Sequence, residues 1–481
     1  MKSSPNLLVI LSDQHQARAM SCADHPVVQT PHLDELAARG TRFTNAYTPS
    51  PICVPARAAF ATGRQVHDIR NWDNAMPYKG TPRGWGHALQ DKGVRVESIG
   101  KLHYRHQEDD SGFDAQHIPM HVADGVGMVW GSIRREDERV YNKHVRMMGD
   151  TIGPGESSYT KYDRSVTDMT CDWLSKTQDS AAPWCLYVGL LAPHHPLIAP
   201  QEFYDLYPLD KLPADKLRRK DGYVRHPWLD KMADAMVAED GWKDEEERRV
   251  AIASYYGLTS YMDHNVGRIV SALKDSGQFD NTTIIYSSDH GENLGVRDLW
   301  GKMNMYEESA AIPLIVAPAP DLGVDPRPTS ATTTSLLDIS ETIIDHFDAA
   351  LPGERPGTSL YDIAACEDDT DRAVFSEYHA IGAVSGEFML RKGDLKLIEY
   401  VGFEPELFNL AEDPEELTNQ AQNPAYADDL ARMQAELRKI CDPDAVNTEA
   451  FEDQDAMIEA YGGKEAASKL GAPSATPPPA T

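Results

Sequence analysis

The sequence predicts an α/β fold, a large and mostly parallel sheet sandwiched by helices, with a smaller C-terminal α+β domain containing an antiparallel sheet. Three observations carry this. Short apolar runs alternate with helical patterns as far as residue 370, which is the signature of strand–helix–strand units. Beyond that point short strands follow one another directly, with turn residues between them. The chain has 481 residues, 41% apolar and 25% charged, enough for roughly two to four domains of globular composition.

Residues 6–12 (NLLVILS) are an unbroken apolar run of strand length, as expected for a strand buried on both faces. Residues 31–39 (PHLDELAAR) place Pro31 in the first turn of a helix and Gly40 just past its end. Residues 55–62 repeat that arrangement with Pro55 and Gly63. Residues 94–99 alternate as a strand and stop at Gly100. Residues 161–176 space Tyr162, Val166, Met169 and Trp173 as one helical face. The strand at 184–191 (WCLYVGLL) leads into Pro193-His194-His195-Pro196. A long helix at 247–273, strands at 281–288 (NTTIIYSS) and 312–316, and a helix at 335–347 complete this part. From residue 373, AVFSEYH, GEFMLRKGD, LKLIEYV and ELFNL read as strands, with Gly393-Asp394 as a turn and a helix at 426–440. The expected organisation is an α/β domain at 1–370, an α+β subdomain at 371–470 and a mobile tail at 471–481 (GAPSATPPPAT). Residues 210–250 are dense in charge and are expected to form a solvated helical insertion, with a lid or subunit contact as the alternative.

Acidic residues outnumber basic ones 76 to 46, giving a net charge of −30 and a pI near 4.9. That excludes a general nucleic-acid binder, which needs cations to displace counterions from phosphate. An acidic membrane surface would repel it. No run of about 18 or more apolar residues exists, so no transmembrane helix is expected. The N-terminal apolar run lacks a small-residue cleavage site, and the mature protein is expected to begin there, in the cytoplasm. Six cysteines without a CxxC spacing give neither a disulfide framework nor a zinc motif. Each is expected to be a small buried hydrophobe, with one exception.

In parallel sheets ligands collect at the carboxyl ends of strands. Asp13 follows the first strand, Lys101 and His103 the strand at 94–99, His194 the strand WCLYVGLL, and Asp289 and His290 the strand NTTIIYSS. Any one of these is explained by a helix cap or a satisfied polar group. Four strand ends giving the same result point to a site. The two carboxylates suit a hard cation, Ca²⁺ or Mg²⁺, while His290 leans toward Mn²⁺. Cys53 stands just before a helix, where backbone N–H groups and the helix dipole favour an anion. Arg57, one turn on, adds a planar fork for a tetrahedral oxyanion. This is a nucleophile in an anion pocket beside a metal, and it leaves a cysteine hydrolase as a contender.

The pattern Cys53-x-Pro55-x-Arg57 followed by Thr62-Gly63-Arg64 resembles the signature of the type I, formylglycine-dependent sulfatases of the alkaline-phosphatase superfamily. The resemblance continues through NLLVILSDQ, TPHLDELAARGTRFTNAY, GKLH at 100–103, PHHP at 193–196, SDHGE at 288–292, WGKMNMYEESAAIPLIV and ELFNLAEDPEELTN. It implies that a formylglycine-generating enzyme oxidises Cys53 to formylglycine, whose aldehyde hydrates to a geminal diol. One hydroxyl then attacks sulfur and expels the alcohol. Deprotonation of the other eliminates sulfate.

The resemblance also assigns roles. Asp13, Gln14, Asp289, His290 and the modified Cys53 would hold one divalent metal, Ca²⁺ with Mn²⁺ as the alternative. Arg57 would stabilise the deprotonated diol, and Lys101 and Lys302 would bind sulfate oxygens. His103 would be the base for elimination and His194 the acid for the leaving oxygen, with Asn74 also at the substrate. Gln14 stands where many members carry a second Asp, and His290 where many arylsulfatases carry Asn. Both departures look more like choline sulfatases and phosphonate monoester hydrolases, and Asp73-Asn74 resembles choline sulfatases, although Trp72 is expected to be structural. The expected activity is arylsulfatase-type hydrolysis of small-molecule sulfate monoesters by a homo-oligomer. Alternatives are a phosphonate monoester or phosphodiester hydrolase, a choline-sulfatase-like specificity, and a binder of sulfated ligands in which Cys53 stays a thiol.

Overall fold

The run NLLVILSD forms strand β1 (Asn6–Asp13), buried along its whole length. Strands β2 (Thr41–Phe43), β3 (Arg95–Lys101), β4 (Ala115–Met120), β5 (Trp184–Pro193), β6 (Thr282–Ser288), β7 (Leu314–Ala317) and β8 (Thr329–Ser330) join it in an eight-stranded sheet of order β8-β2-β7-β6-β1-β5-β3-β4. β1 pairs in parallel with β5 and β6, and β3 in parallel with β4 and β5. Only β7 runs antiparallel to its neighbours. The mostly parallel sheet expected from the sequence is the one observed. This computed structural model describes residues 5–140, 151–178, 182–236, 239–322, 326–472 and 475–479.

The helices of this part include α1 (Pro31–Arg39), α2 (Cys53–Thr62), α3 (Val66–Ile69), α4 (Ser158–Lys176), α5 (Pro227–Met236), α6 (Glu245–Asp275) and α7 (Leu336–His346). Alternate β1 side chains enter opposite cores, because successive strand residues face opposite ways. Leu8 and Ile10 pack with Val166 and Trp173 of α4 and Ile269 of α6. Leu7, Val9 and Leu11 pack with Ala56 and Phe60 of α2 and Ile339 and Ile343 of α7. Each such fully buried side chain contributes about 1.5–3 kcal/mol. Among the described residues no helix is long and apolar enough to cross a membrane.

Two local expectations are corrected. α2 starts at Cys53, not at Pro55, so the cysteine sits inside the first turn. Pro55 is tolerated there because first-turn N–H groups have no helical partner to lose. Residues 210–250 are a solvated insertion only in part, since residues 219–222 and 243–246 are exposed while others pack inward. Trp228, Leu229 and Met232 of α5 are buried against Tyr400, and the Trp242 ring lies 4.7 Å from that of Trp300.

Beyond residue 370, strands β9 (Ala373–Tyr378), β10 (Glu387–Lys392), β11 (Leu395–Tyr400) and β12 (Glu406–Asn409) form an antiparallel sheet in sequence order. Gly393 makes the β10–β11 turn at a left-handed φ of +57°. One face packs on Met433 and Leu437 of α8 (Ala427–Ile440). The other packs on Tyr47, Trp228 and Tyr306 of the large domain. A further helix, α9 (Pro443–Ala460), was not anticipated, although Asp442 followed by Pro443 is a helix-start signal and Asp442 accepts from the N–H of Asp444 and Ala445.

The two sheets are tied by buried ion pairs. Lys396 on β11 lies 2.8 Å from both Glu307 and Glu416. Glu377 on β9 accepts from the backbone N–H and Nδ1 of His67 on α3, at 2.9 and 2.7 Å. Burial disfavours charge on both partners, yet each outweighs it for the other, lifting His67 to about 9 and holding Glu377 at about 2. The imidazolium therefore stabilises the fold fully below pH 6.5 and loses that contribution as pH rises through 9. The carboxylate contributes fully above pH 4.5 and loses it as pH falls through 2. His67→Ala should cost about 3 kcal/mol in urea unfolding near pH 6, and the difference from the parent should shrink above pH 9.

Candidate active site

The register of β1 against β6 sets Ser12 opposite Ser288, so Asp13 and Asp289 emerge side by side at the carboxyl ends of two central strands. Arg57 lies four residues after Cys53 on α2 and shares its face. Its guanidinium joins the two carboxylates, with Nε 2.8 Å from Asp289 Oδ2 and Nη2 3.2 Å from Asp13 Oδ2. Its Nη1 donates to Lys101 O at 3.0 Å and to Tyr187 Oη at 2.9 Å. That carbonyl is in reach because β5 has glycine at position 189, where a Cβ would lie 2.1 Å from Lys101 O. Lys101 Nζ donates to Asp13, and Lys302 Nζ lies 3.1 Å from Cys53 Sγ and 2.9 Å from Gln14 Oε1. Burial alone would raise the Asp13 pKa, but Lys101, His194, Lys302 and Arg57 hold it well below the usual carboxylate range. Burial and the Asp13 charge push the Cys53 thiol up.

Asp13, Cys53, Asp289 and His290 bring one donor atom each within 4.8 Å of one another, all buried. His290 Nε2 stands 3.2 Å from Cys53 Sγ and 3.5 Å from Asp289 Oδ1. Its Nδ1 faces the Gly291 carbonyl at 3.1 Å, which can only accept, so Nε2 turns its lone pair to the cluster. Burial lowers this imidazole to about 4, the neutral form a metal requires. Two carboxylates and a neutral imidazole facing one another fit a divalent cation. Gln14 stands beside this cluster. Its amide oxygen, the atom expected at the metal, accepts from Lys302, and its NH₂ donates to Glu292.

His194 turns Nε2 toward Asp13 Oδ1 at 3.9 Å, while its Nδ1 donates to His195 O at 2.6 Å. Burial, with Lys302 and His195 beside it, holds its pKa well below the ordinary value. His103 has a left-handed φ of 58°, its Nε2 is 3.0 Å from Thr476 Oγ1, and its Nδ1 is buried without a partner among the described residues. Burial, with Lys101 and Arg57 nearby, likewise keeps it neutral. Asn74 lines the pocket, and its Oδ1 accepts from the Val54 N–H at the start of α2. Trp72 is buried, donates to Asp453 and meets His379 edge to face.

Cys53, Asn74, Lys101, His103, His194 and Lys302 line a cavity of about 110 Å³, walled by Ile52, Met128, Trp130, Tyr159, Met303 and Ile381. A larger surface cleft of about 700 Å³ beside Arg64 and Arg372 contains none of them. Sequence reasoning missed Tyr187, whose place in an apolar strand reads as core, and the aromatic wall. It also missed Asp163, which lies beside the predicted face of α4 and accepts from the N–H of Leu191 and Ala192 ahead of His194. Burial raises Asp163 to about 7.

A family model described as Sulfatase matches residues 5–349. The chain belongs to the sulfatase family. A second family model, the C-terminal region of N-sulphoglucosamine sulphohydrolase, matches residues 295–442 of this sulfatase. As a member of the family it is a sulfuric ester hydrolase. It is 32% identical over 451 residues to a choline-sulfatase of Rhizobium meliloti (strain 1021), covering 90% of this chain and 85% of that one. It is 30% identical over 469 residues to arylsulfatase K of Danio rerio, covering 92% and 85%. The phosphonate monoester hydrolase of Agrobacterium radiobacter shares its fold, with a TM-score of 0.74, 23% identity and coverage of 91% and 95%.

Removing divalent cations with EDTA should lower the melting temperature of this sulfatase, and Ca²⁺ or Mn²⁺ at a hundredfold excess over Kd should restore about 2.7 kcal/mol. The Asp289→Asn variant should show no such restoration in the same calorimetric scan.

Proposed function

We propose that this sulfatase hydrolyses small sulfate monoesters of aryl and other apolar alcohols, with a formylglycine made from Cys53 by a formylglycine-generating enzyme. The observation that supports this most is the placing of Cys53. It lies in the first turn of a wholly buried helix, its Sγ between the Lys302 ammonium and His290 Nε2. The thiol marks the position of the hydrated aldehyde. When present, the formylglycine supplies the nucleophilic hydroxyl and the divalent cation supplies positive charge that favours its ionised form.

The other tasks fall to the chain's own side chains. Lys101 and Lys302 attract the sulfate and fix its orientation. Arg57 keeps Asp13 and Asp289 at one spacing, so the nucleophile and the sulfate meet in one geometry. His194 Nε2 faces the cavity, and a bound anion offsets the cations that lower its pKa, so it can carry a proton to the leaving oxygen. His103, neutral and buried, accepts the proton released when sulfate departs. The apolar wall selects the alcohol.

A choline-ester specificity is the second reading. The choline-sulfatase relative supports it, as do Trp130 and Tyr159 in the cavity wall, whose faces can hold a quaternary ammonium. Initial rates on 4-nitrophenyl sulfate, choline O-sulfate and a phenylphosphonate monoester decide among the substrates. A phosphonate rate above both sulfate rates would overturn the proposal.

Mass spectrometry of the peptide carrying Cys53, from protein of the native cell, should show an aldehyde in place of the thiol. Cys53→Ala should lower turnover by about ten-thousand-fold or more while calorimetric sulfate binding persists. His194→Ala should slow alkyl sulfates about a hundredfold more than aryl sulfates, since only the poorer leaving group needs the proton. Equal losses across a leaving-group series would remove His194 from the role.

A further inference from the structure

The cavity above Cys53 is closed by a part of the chain that the catalytic roles do not use. Ala475 and Thr476, from the Pro-rich C-terminal segment, line it together with Trp130, Tyr159 and His103. Contacts at Gly471, Ala472 and Thr476 tie the described residues of this segment to the large sheet's surroundings. Gly471, at a φ of +93°, crosses Gly127 so closely that a Cβ would lie 1.7 Å from Gly127 O. The carbonyl of Ala472 accepts from Trp130 Nε1 at 2.9 Å. The carbonyl of Thr476 accepts from Tyr159 Oη at 2.6 Å, and its hydroxyl meets His103 Nε2 at 3.0 Å. Thr476 is 8% exposed in a segment whose other residues are small or prolines. Pro477, Pro478 and Pro479 restrict the backbone next to it, which lowers the entropy cost of holding the segment in place.

We propose that this segment is a built wall of the active site, and that Thr476 is both a size filter for the substrate alcohol and a positioning residue for His103. The proposal rests on the sulfatase reading for its substrate class. Geometry supports both roles. Thr476 reaches Tyr159 through its carbonyl and His103 through its hydroxyl, and the cavity it lines measures about 110 Å³, the scale of a sulfate with a small alcohol. The Thr476 hydroxyl meets the ring nitrogen of a histidine whose other nitrogen has no partner among the described residues and whose backbone is held in the left-handed region, so it is a principal restraint on that ring.

The wall is tested with the full chain, a chain ended at Ala472, and the variants Thr476→Val and Thr476→Ser. The first readout does not depend on turnover. In protein made without the maturing enzyme, Cys53 remains a thiol, and peptide mapping reports how fast iodoacetamide and a bulky maleimide alkylate it. Ending the chain at Ala472 should speed the maleimide reaction at least about tenfold at unchanged melting temperature, and more than the iodoacetamide reaction. The second readout uses mature enzyme. The shortened chain should lose kcat/KM on 4-nitrophenyl sulfate while its rate on a sulfated disaccharide rises relative to it by about tenfold or more. Thr476→Val should lower kcat with KM nearly unchanged, and Thr476→Ser should restore it. Equal alkylation rates in the long and short chains overturn the wall. A rise on both esters after shortening would make the segment a plug and overturn it as well. If the intact mature enzyme cleaves no sulfate ester but shortening still exposes Cys53, the wall stands and the sulfatase reading falls.

Discussion

The site is organised by one buried arrangement, the Arg57 guanidinium set between Asp13 and Asp289. Two carboxylates with no exposure repel each other and lose hydration, and removing their shared cation would leave charge stranded in the interior. Other features of the fold serve this arrangement. The β1–β6 register brings the two acids together, the four-residue spacing on α2 delivers the cation with Cys53 beside it, and the missing side chain at Gly189 lets the Lys101 carbonyl accept from Nη1. The apolar layers on both faces of β1 keep water out, which strengthens each of these contacts.

Net charge and local charge have opposite signs here. The chain as a whole carries −30, yet Arg57, Lys101 and Lys302 converge on one pocket where burial, reinforced by these cations, keeps three histidines in their neutral forms. An anionic ester is drawn in by the nearby cations, since surface acids act through solvent and salt and fade within about a Debye length. The same field keeps the histidines free to exchange protons only once an anion has arrived.

Much of this was legible in the sequence because it depends on short-range rules. An apolar run such as NLLVILS, a Pro-opened helix such as PHLDELAAR, and charged residues placed just after strands are local statements. They located the sheet, the strand ends and the cluster of Asp13, Lys101, His194 and Asp289. Features that depend on what folds back from far away were not legible. Tyr187 differs from a core tyrosine only through its contact with Arg57, and α9 has weak apolar spacing that hides its helical period. Nothing in GAPSATPPPAT announces that one of its threonines meets a histidine 373 residues earlier in the chain. The α2 boundary missed by two residues because Pro55 was taken as the first helical position when it is the third.

The depth of Cys53 also sets an order of events in the making of the enzyme. The residue is 2% exposed, roofed by aromatic side chains and the C-terminal segment, and lies in a helix whose every residue is buried. Another protein's active site cannot reach it there, because the cavity over the sulfur, about 110 Å³, admits a small molecule and not a polypeptide. Any chemistry that a second enzyme performs on this sulfur belongs to the interval between synthesis at the ribosome and closure of the core. A molecule that folds first keeps its thiol for as long as it stays folded.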